Sequence, residues 1–185
     1  MKPELITEIF AQIVSFSALA FSVISYFVSK KNYLFFQALC MVGLVLSFLL
    51  KSNFFAMVGM TIGICRAVTF FLYEKCDKDA PIALSFLFGG LSVAAYLIIN
   101  VWIQGVGKYE DIFYLLSLIS YAFSFRIRDR RTLLYVTLLP TSCGVIYSVI
   151  SYTTLFVFLL YAFEFSANVV AIGKLHIENR RRTLK

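Results

Sequence analysis

Charged residues, proline, histidine and tryptophan are all scarce in this chain of 185 residues. Only 15% of the residues are charged, against about a quarter in a soluble domain, which excludes an ordinary soluble fold. The chain has a single histidine, His176, in the C-terminal tail, which is too little for a zinc site or for a nucleophile activated by histidine. An enzyme is therefore not expected. The four cysteines fall in apolar segments or in a basic loop and predict no disulfide framework. No cofactor and no metal site is predicted.

Apolar residues make up 61% of the chain, and its mean hydropathy is +0.85. A helix needs about 20 mostly apolar residues to cross a bilayer, and only helices or closed barrels satisfy the backbone there. Seven apolar segments come near that length, at 9–28, 33–50, 54–73, 82–103, 111–125, 132–150 and 153–173. The connections between them are short. The sequence therefore predicts an all-α polytopic membrane protein with a single membrane domain over 1–185.

Lysine and arginine are distributed unevenly between the two sides of the predicted bundle. Thirteen of them fall in connections 1–2, 3–4 and 5–6 and in the basic tail 174–185, and three fall on the other side. Because cytoplasmic loops are enriched in these residues, the N-terminus is expected outside and the C-terminus in the cytoplasm. The net charge of +7 is then explained by orientation and anionic lipid, and nucleic acid is not an expected partner.

A short motif occurs twice in the chain. Residues 22–29 and 117–124 share five of eight positions, and each copy precedes a basic loop and two further apolar segments. The sequence thus predicts three helices over 9–73, a linker helix over 82–103 and three helices over 111–173. Four helices separate the copies, so both repeats cross the membrane in the same direction.

Small residues recur at helical spacing within the predicted spans. Those predicted to pack helices together are Ser22, Ser25, Ser117, Ser120, Gly59 and Gly63. The serines of each copy lie on one helix face, which suits a packing seam or a solute-facing stripe. The glycines form a GxxxG pattern, which favours close helix contact within one chain or in a homo-oligomer.

Charged and polar residues inside the spans are the candidate solute ligands. Arg66 and Glu164 are costly in lipid and should face the bundle interior, each as the partner of the other. Asn168 lies one turn from Glu164 on the same face, and Tyr161 and Thr61 are further candidates to line a polar cavity. The charged residues fit a solute site or a structural ion pair between the third and seventh helices. A further alternative is that Arg66 snorkels to the cytoplasmic interface.

Pro140 interrupts the sixth span near its middle, and Gly144 follows one turn later. Proline removes a backbone hydrogen bond and usually kinks a helix. These two residues are predicted to form either a hinge for a gate or a static bend.

The pattern resembles the SWEET and PQ-loop superfamily and, within that architecture, the YgjV-like family of bacterial inner-membrane proteins. The resemblance depends on the segment Ser29–Gln37, the turn Lys51–Asn53, the segment Gly63–Arg66, the Glu110-Asp111-Ile112 motif, the basic loop Arg126–Arg131, and Asn168. It implies a bacterial inner-membrane location and a solute bound between two triple-helix bundles. SWEET-type proteins bind sugar with one asparagine from the third helix and one from the seventh. Asn168 suits the position in the seventh helix, but Arg66 occupies the corresponding position in the third. The resemblance therefore implies a polar or anionic solute at least as readily as a sugar.

Two functions remain open at this stage. In the first, the chain is a small-solute transporter or facilitator in which rocking of one bundle exposes a site alternately. Glu164 is then the candidate proton carrier. In the second, it is a non-transporting membrane scaffold whose polar residues are structural.

Overall fold

The structure of the chain is a computed structural model, and it describes residues 3–25, 28, 30–103, 108–127, 129–151 and 153–183. Within these ranges there are seven α-helices and no strand, which confirms the all-α class. The helices are α1 (Pro3–Ser25), α2 (Lys30–Leu50), α3 (Phe54–Lys75), α4 (Ile82–Tyr96), α5 (Tyr109–Ser124), α6 (Arg130–Ile150) and α7 (Leu155–Thr183). Tyr26 and Ser29 of the repeated motif lie outside the described residues, as do the last two residues of the tail.

Six of the described helical stretches are long and apolar enough to cross a membrane. The fourth of them continues α4 through a π-helical segment, Leu97–Ile103, which the apolar pattern did not predict. The helix α5 is not one of these six, because its 16 residues span about 24 Å and the hydrocarbon layer is roughly 30 Å thick. The predicted span 111–125 is thus a helix, but a short one.

The distribution of polar and apolar side chains supports a membrane protein. Large apolar side chains such as Phe10, Ile13 and Phe86 face outward, whereas Arg66 and Glu164 are buried. Soluble monomers seldom expose apolar patches of such extent, and intramembrane ionisable residues face the interior of a bundle.

Helix contacts follow chain order within each half of the molecule. In the first half α1 packs against α2 and α2 against α3, and in the second α5 packs against α6 and α6 against α7. The halves meet where α1 contacts α7 and where α3 contacts α5. These six helices therefore surround a common centre, with α4 outside them against α3 and α5.

Side-chain caps fix where α3 and α7 begin. The Asn53 side chain accepts a hydrogen bond from the backbone N–H of Ala56 at 3.1 Å, and the Thr154 hydroxyl accepts one from Val157 at 3.3 Å. Such caps satisfy the free N–H groups of a first helical turn. Both capping residues line one pocket, so the two helices start at the same end of the molecule.

Candidate functional site

A small cavity lies at the centre of the molecule, where α2, α3, α5 and α7 meet. Its volume is about 20 Å³, which is room for one water molecule. The polar residues that line it are Gln37, Arg66, Ser117, Tyr121, Tyr161 and Glu164. Arg66 and Glu164, the two residues that the sequence analysis singled out as costly in lipid, therefore line the same cavity.

Glu164 of α7 is held by hydrogen bonds from three other helices. Its carboxylate accepts from the Ser22 hydroxyl of α1 at 2.8 Å, from the Gln37 amide of α2 at 3.3 Å and from the Tyr121 hydroxyl of α5 at 3.0 Å. Only 4% of the residue is exposed. These donors replace water around a buried carboxylate, which would otherwise be very unfavourable.

Arg66 of α3 also lines the cavity, with 1% of its surface exposed. One terminal nitrogen donates to the backbone carbonyl of Leu118 in α5 at 2.8 Å. The guanidinium carbon lies 4.9 Å from the ring centre of Phe125 and 5.6 Å from that of Tyr121, which are cation–π distances. Arg66 thereby joins the first half of the molecule to the second.

The expected direct pairing of Arg66 with Glu164 is not found. In the described part of the chain no ion pair joins the two residues. Tyr121 connects them instead, because its hydroxyl donates to Glu164 while its ring faces the guanidinium. The cavity therefore holds one charge of each sign, and each has its own set of contacts.

The remaining predicted solute ligands have different environments. Tyr161 lines the cavity at 2% exposure, and its hydroxyl has no hydrogen-bond partner among the described residues. Asn168 is equally buried and its amide nitrogen is likewise unpartnered, but the residue does not line the cavity. Thr61 is exposed on the outward side of α3, where its hydroxyl donates to the Met57 carbonyl at 2.9 Å. The structure thus brings Tyr161, but neither Asn168 nor Thr61, to the cavity.

The predicted hinge residues contact α5 and α7. Pro140 is buried, and its carbonyl accepts a hydrogen bond from the Ser117 hydroxyl at 2.9 Å. Gly144 lies directly against the ring of Tyr161, so close that a Cβ there would be 2.5 Å from its Cδ1 atom. Gly144 therefore provides the surface on which a cavity residue packs.

The predicted packing residues are almost all buried at helix contacts. Ser22, Ser25 and Ser117 are at most 2% exposed, whereas Ser120 is half-buried. Gly59 faces Tyr114 and Leu118 of α5, and Gly63 faces Met41 of α2. Ser22 also binds Glu164, so it serves both the helix contact and the polar centre.

A larger cavity of about 180 Å³ lies at the end where α3 and α7 begin. We call it the vestibule, and its charged lining residues are Lys51, Lys108, Glu110 and Asp111. Asp111 is only 5% exposed and accepts a hydrogen bond at 2.8 Å from Asn100, in the π-helical segment. This pair was not predicted from the sequence, although an asparagine inside an apolar span is a usable signal.

An aromatic layer separates the vestibule from the central cavity. The layer consists of Phe48, Tyr114 and Tyr147, each at most 2% exposed, with the two tyrosine rings 4.7 Å apart. Along α5, Tyr114 lies between Asp111 of the vestibule and Leu118 of the central cavity. The central cavity is therefore closed toward the vestibule.

Three hydrogen bonds hold the halves together at this end, and we call them the outer contacts. Ser15 of α1 bonds Thr154 at 2.8 Å, Asn53 donates to the Tyr147 hydroxyl at 2.6 Å, and Tyr114 donates to the Ala56 carbonyl at 3.0 Å. Each joins one half of the molecule to the other.

Metal binding finds no support in the part of the chain that the structure describes. Its histidine, cysteine, aspartate and glutamate side chains form no group of three or more that could hold an ion.

Fold and site together define an all-helical membrane protein with a polar centre. No family model matches the chain, and neither a curated protein nor a solved structure matches it either.

Proposed function

We propose that this chain is a small-solute transporter or facilitator that binds a polar or anionic solute between its two halves. The observation that carries the proposal is the central cavity lined by two buried residues of opposite charge, one from each half. Ionisable residues inside a membrane are costly, and they usually mark solute or ion pathways. A bundle that only had to pack could use apolar side chains at both positions.

The proposal includes two parallel three-helix repeats, α1–α3 and α5–α7, joined by α4. If the two repeats are superposed, α1 corresponds to α5 and α3 corresponds to α7. The contact of α1 with α7 then corresponds to the contact of α5 with α3, and both contacts are present. The caps at Asn53 and Thr154 are equivalent in the same way. Glu164 binds α1 across one of these contacts, and Arg66 binds α5 across the other. Parallel repeats with a site between them are a common transporter design.

The proposed route runs from the vestibule through the aromatic layer to the central cavity. Solute would first meet the polar vestibule, then pass Tyr114 and Tyr147 once the outer contacts separate. Rocking of one repeat against the other would then open the cavity at its opposite end. The current cavity has room for one water molecule, so solute entry requires the halves to move apart.

Glu164 is the proposed proton carrier if transport is coupled to protons. It is the carboxylate that lines the cavity, and its hydrogen bonds come from neutral groups that can remain in place when it is protonated. The titratable and charged groups around it are Tyr33, Cys40, Arg66, Tyr121 and Tyr161. Of these, Arg66 is the cation.

Family, location and orientation belong to the same proposal. The resemblance to SWEET, PQ-loop and YgjV-like proteins supports a 3+1+3 bundle in a bacterial inner membrane. The uneven distribution of lysine and arginine supports an outside N-terminus and a cytoplasmic C-terminus.

Stopped-flow light scattering of proteoliposomes tests the function with a panel of small solutes. Vesicles are shrunk with glycerol, urea, glucose or potassium formate, the last with a potassium ionophore, and their re-swelling reports solute entry. We expect the protein to accelerate re-swelling for at least one solute. The double variant Arg66→Leu with Glu164→Leu should abolish the effect.

A matched control removes a charge pair outside the cavity. Lys75 and Asp77 are exposed at the end of α3 and just after it, and they line neither cavity, so Lys75→Gln with Asp77→Asn also removes one charge of each sign. This control should retain permeability. Re-swelling equal to that of empty vesicles for every solute would contradict transport.

The Glu164→Gln variant tests the proton role separately. The amide keeps the size of the side chain but cannot carry a proton between compartments. We expect uptake to lose its dependence on a pH gradient. Unchanged pH-dependent uptake would exclude Glu164 as the carrier.

The second candidate function is a non-transporting membrane scaffold. The size of the central cavity favours it, since about 20 Å³ accommodates no solute larger than a few atoms without movement. On this hypothesis the double variant at Arg66 and Glu164 should leave folding intact, and no solute should raise the melting temperature.

A further inference from the structure

The guanidinium of Arg66 has more hydrogen-bonding capacity than its surroundings use. It carries five N–H donors, and the described residues supply one acceptor, the Leu118 carbonyl. Its Nε atom is buried without a partner among those residues. A buried donor left unsatisfied is costly, so an acceptor that reaches the guanidinium would be strongly favoured.

Glu164 is not that acceptor, although it lines the same cavity. Its carboxylate already accepts hydrogen bonds from Ser22, Gln37 and Tyr121, which lie on three other helices. Moving it to Arg66 would break these bonds and leave buried hydroxyl and amide groups unmatched. The positive charge therefore remains available to an occupant of the cavity.

Tyr161, which also lines this cavity, carries a second unused donor. Its hydroxyl is buried and unpartnered in the described part of the chain, and Gly144 holds its ring in place from behind. One unused donor carries a positive charge and the other is a neutral hydroxyl. Both groups are satisfied together by a negatively charged acceptor.

We infer that the central cavity is a binding site for a small monovalent anion, with Arg66 and Tyr161 as its ligands. Small size follows from the cavity volume, and single charge follows from the presence of the Glu164 carboxylate in the same space, which would repel a divalent anion more strongly. The identification of the transported solute as a small anion rests on the proposed function. The binding itself requires no transport, only the slight widening of the cavity that an anion larger than a water molecule needs.

Formate and formamide form a suitable pair of probes, because they have nearly the same shape and differ in charge. The purified protein in detergent is melted across a series of formate concentrations, with gluconate keeping ionic strength constant. We expect formate to raise the melting temperature in a saturable way and formamide to have no such effect. Equal melting temperatures in formate and gluconate would overturn the inference.

The Tyr161→Phe variant tests the site without breaking any hydrogen bond of the described structure. A structural role predicts unchanged or higher stability for this variant and no change in formate affinity. The anion site predicts an apparent Kd about tenfold higher, typical of losing a hydrogen bond to a charged group. Tyr96→Phe is the matched control, since this tyrosine of α4 packs against Phe55 and lines neither cavity, so the loss of its hydroxyl should leave formate affinity unchanged. Unchanged affinity in Tyr161→Phe would exclude Tyr161 as a ligand.

Charge variants complete the test. Arg66→Gln should abolish formate stabilisation, whereas Arg126→Gln should not, because Arg126 donates to the Ala80 carbonyl away from the cavity. Glu164→Gln should strengthen formate binding by removing a like charge. If formate fails to bind while a neutral solute enters proteoliposomes, the anion assignment falls and transport stands. If formate binds and nothing permeates, the anion site stands and transport falls.

Discussion

The contact between Gly144 and Tyr161 gives the sharpest test of how the cavity wall is built. Gly144→Ala adds a methyl group that would lie 2.5, 2.8 and 3.0 Å from the Cδ1, Cε1 and Cγ atoms of the Tyr161 ring. Carbon atoms in favourable contact are about 3.5–4.0 Å apart, so the ring or the helix must shift by about 1 Å. A ring cannot bend away from such a contact as an aliphatic chain can.

The expected cost follows from two opposing effects. Overpacking of a well-packed core costs about 1–3 kcal/mol, whereas replacing a helical glycine by alanine gains about 0.8–1 kcal/mol. Gly90 of α4 separates the two effects, because nothing lies within 4 Å of a Cβ built there. The difference in unfolding free energy between Gly144→Ala and Gly90→Ala should therefore be about 1–3 kcal/mol. For a chain of this size that corresponds to roughly 2–12 °C in melting temperature.

Thermal melting of both variants in the same detergent measures this difference. A further pair of proteins, Tyr161→Leu with and without Gly144→Ala, shows whether the cost comes from the ring, since removing the ring should remove most of it. Equal melting temperatures for Gly144→Ala and Gly90→Ala would refute the packing argument. If instead Gly144 acts as a hinge, Gly144→Ala should slow solute entry even in the Tyr161→Leu background.

Three other predictions concern the rest of the molecule. Asn100→Ala removes the donor to the buried Asp111 carboxylate and should lower the unfolding free energy by about 1–3 kcal/mol in thermal melts, with Asp111→Asn in the same protein recovering part of the loss. Cys76 is exposed in the loop after α3, so a membrane-impermeant maleimide should label it in inverted vesicles and not in intact cells. The reverse result would contradict the proposed orientation. Cys65 is the control, because it is exposed on an apolar helix face and should stay unlabelled in both preparations. Tyr114→Phe removes one of the outer contacts and should lower stability by about 1 kcal/mol in thermal melts while speeding re-swelling of proteoliposomes; slower re-swelling would contradict the role of that contact.

Arg66 and Glu164 show what the sequence could predict about the site. Both stood out because charged residues are costly inside apolar segments, and both are buried on the wall of one cavity. Their lack of direct pairing could not be predicted, because three neutral donors satisfy Glu164 as well as a cation would. Sequence position gives the depth of a residue along a helix, but it does not give the rotation of one helix against another.

Helix geometry alone argues against Thr61 as a residue of the cavity. At 3.6 residues per turn, a residue five positions before Arg66 lies about 140° around α3 from it. The two side chains therefore cannot both face the centre, and Thr61 is indeed exposed. The π-helical segment with Asn100 is different, because an apolar stretch carries no periodic signal that distinguishes it from an α-helix.

The outer contacts have a strength that suits a conformational change. Each hydrogen bond contributes about 0.5–1.5 kcal/mol net, so the three together hold the halves by about 1.5–4.5 kcal/mol. Conformers that exchange in function typically differ by a few kcal/mol. The polar centre is held more firmly, because separating the halves there would leave buried charges at Arg66 and Glu164 without their contacts, at a cost of several kcal/mol each. We therefore expect the proposed opening to begin at the vestibule and to pivot about the layer that contains these two residues.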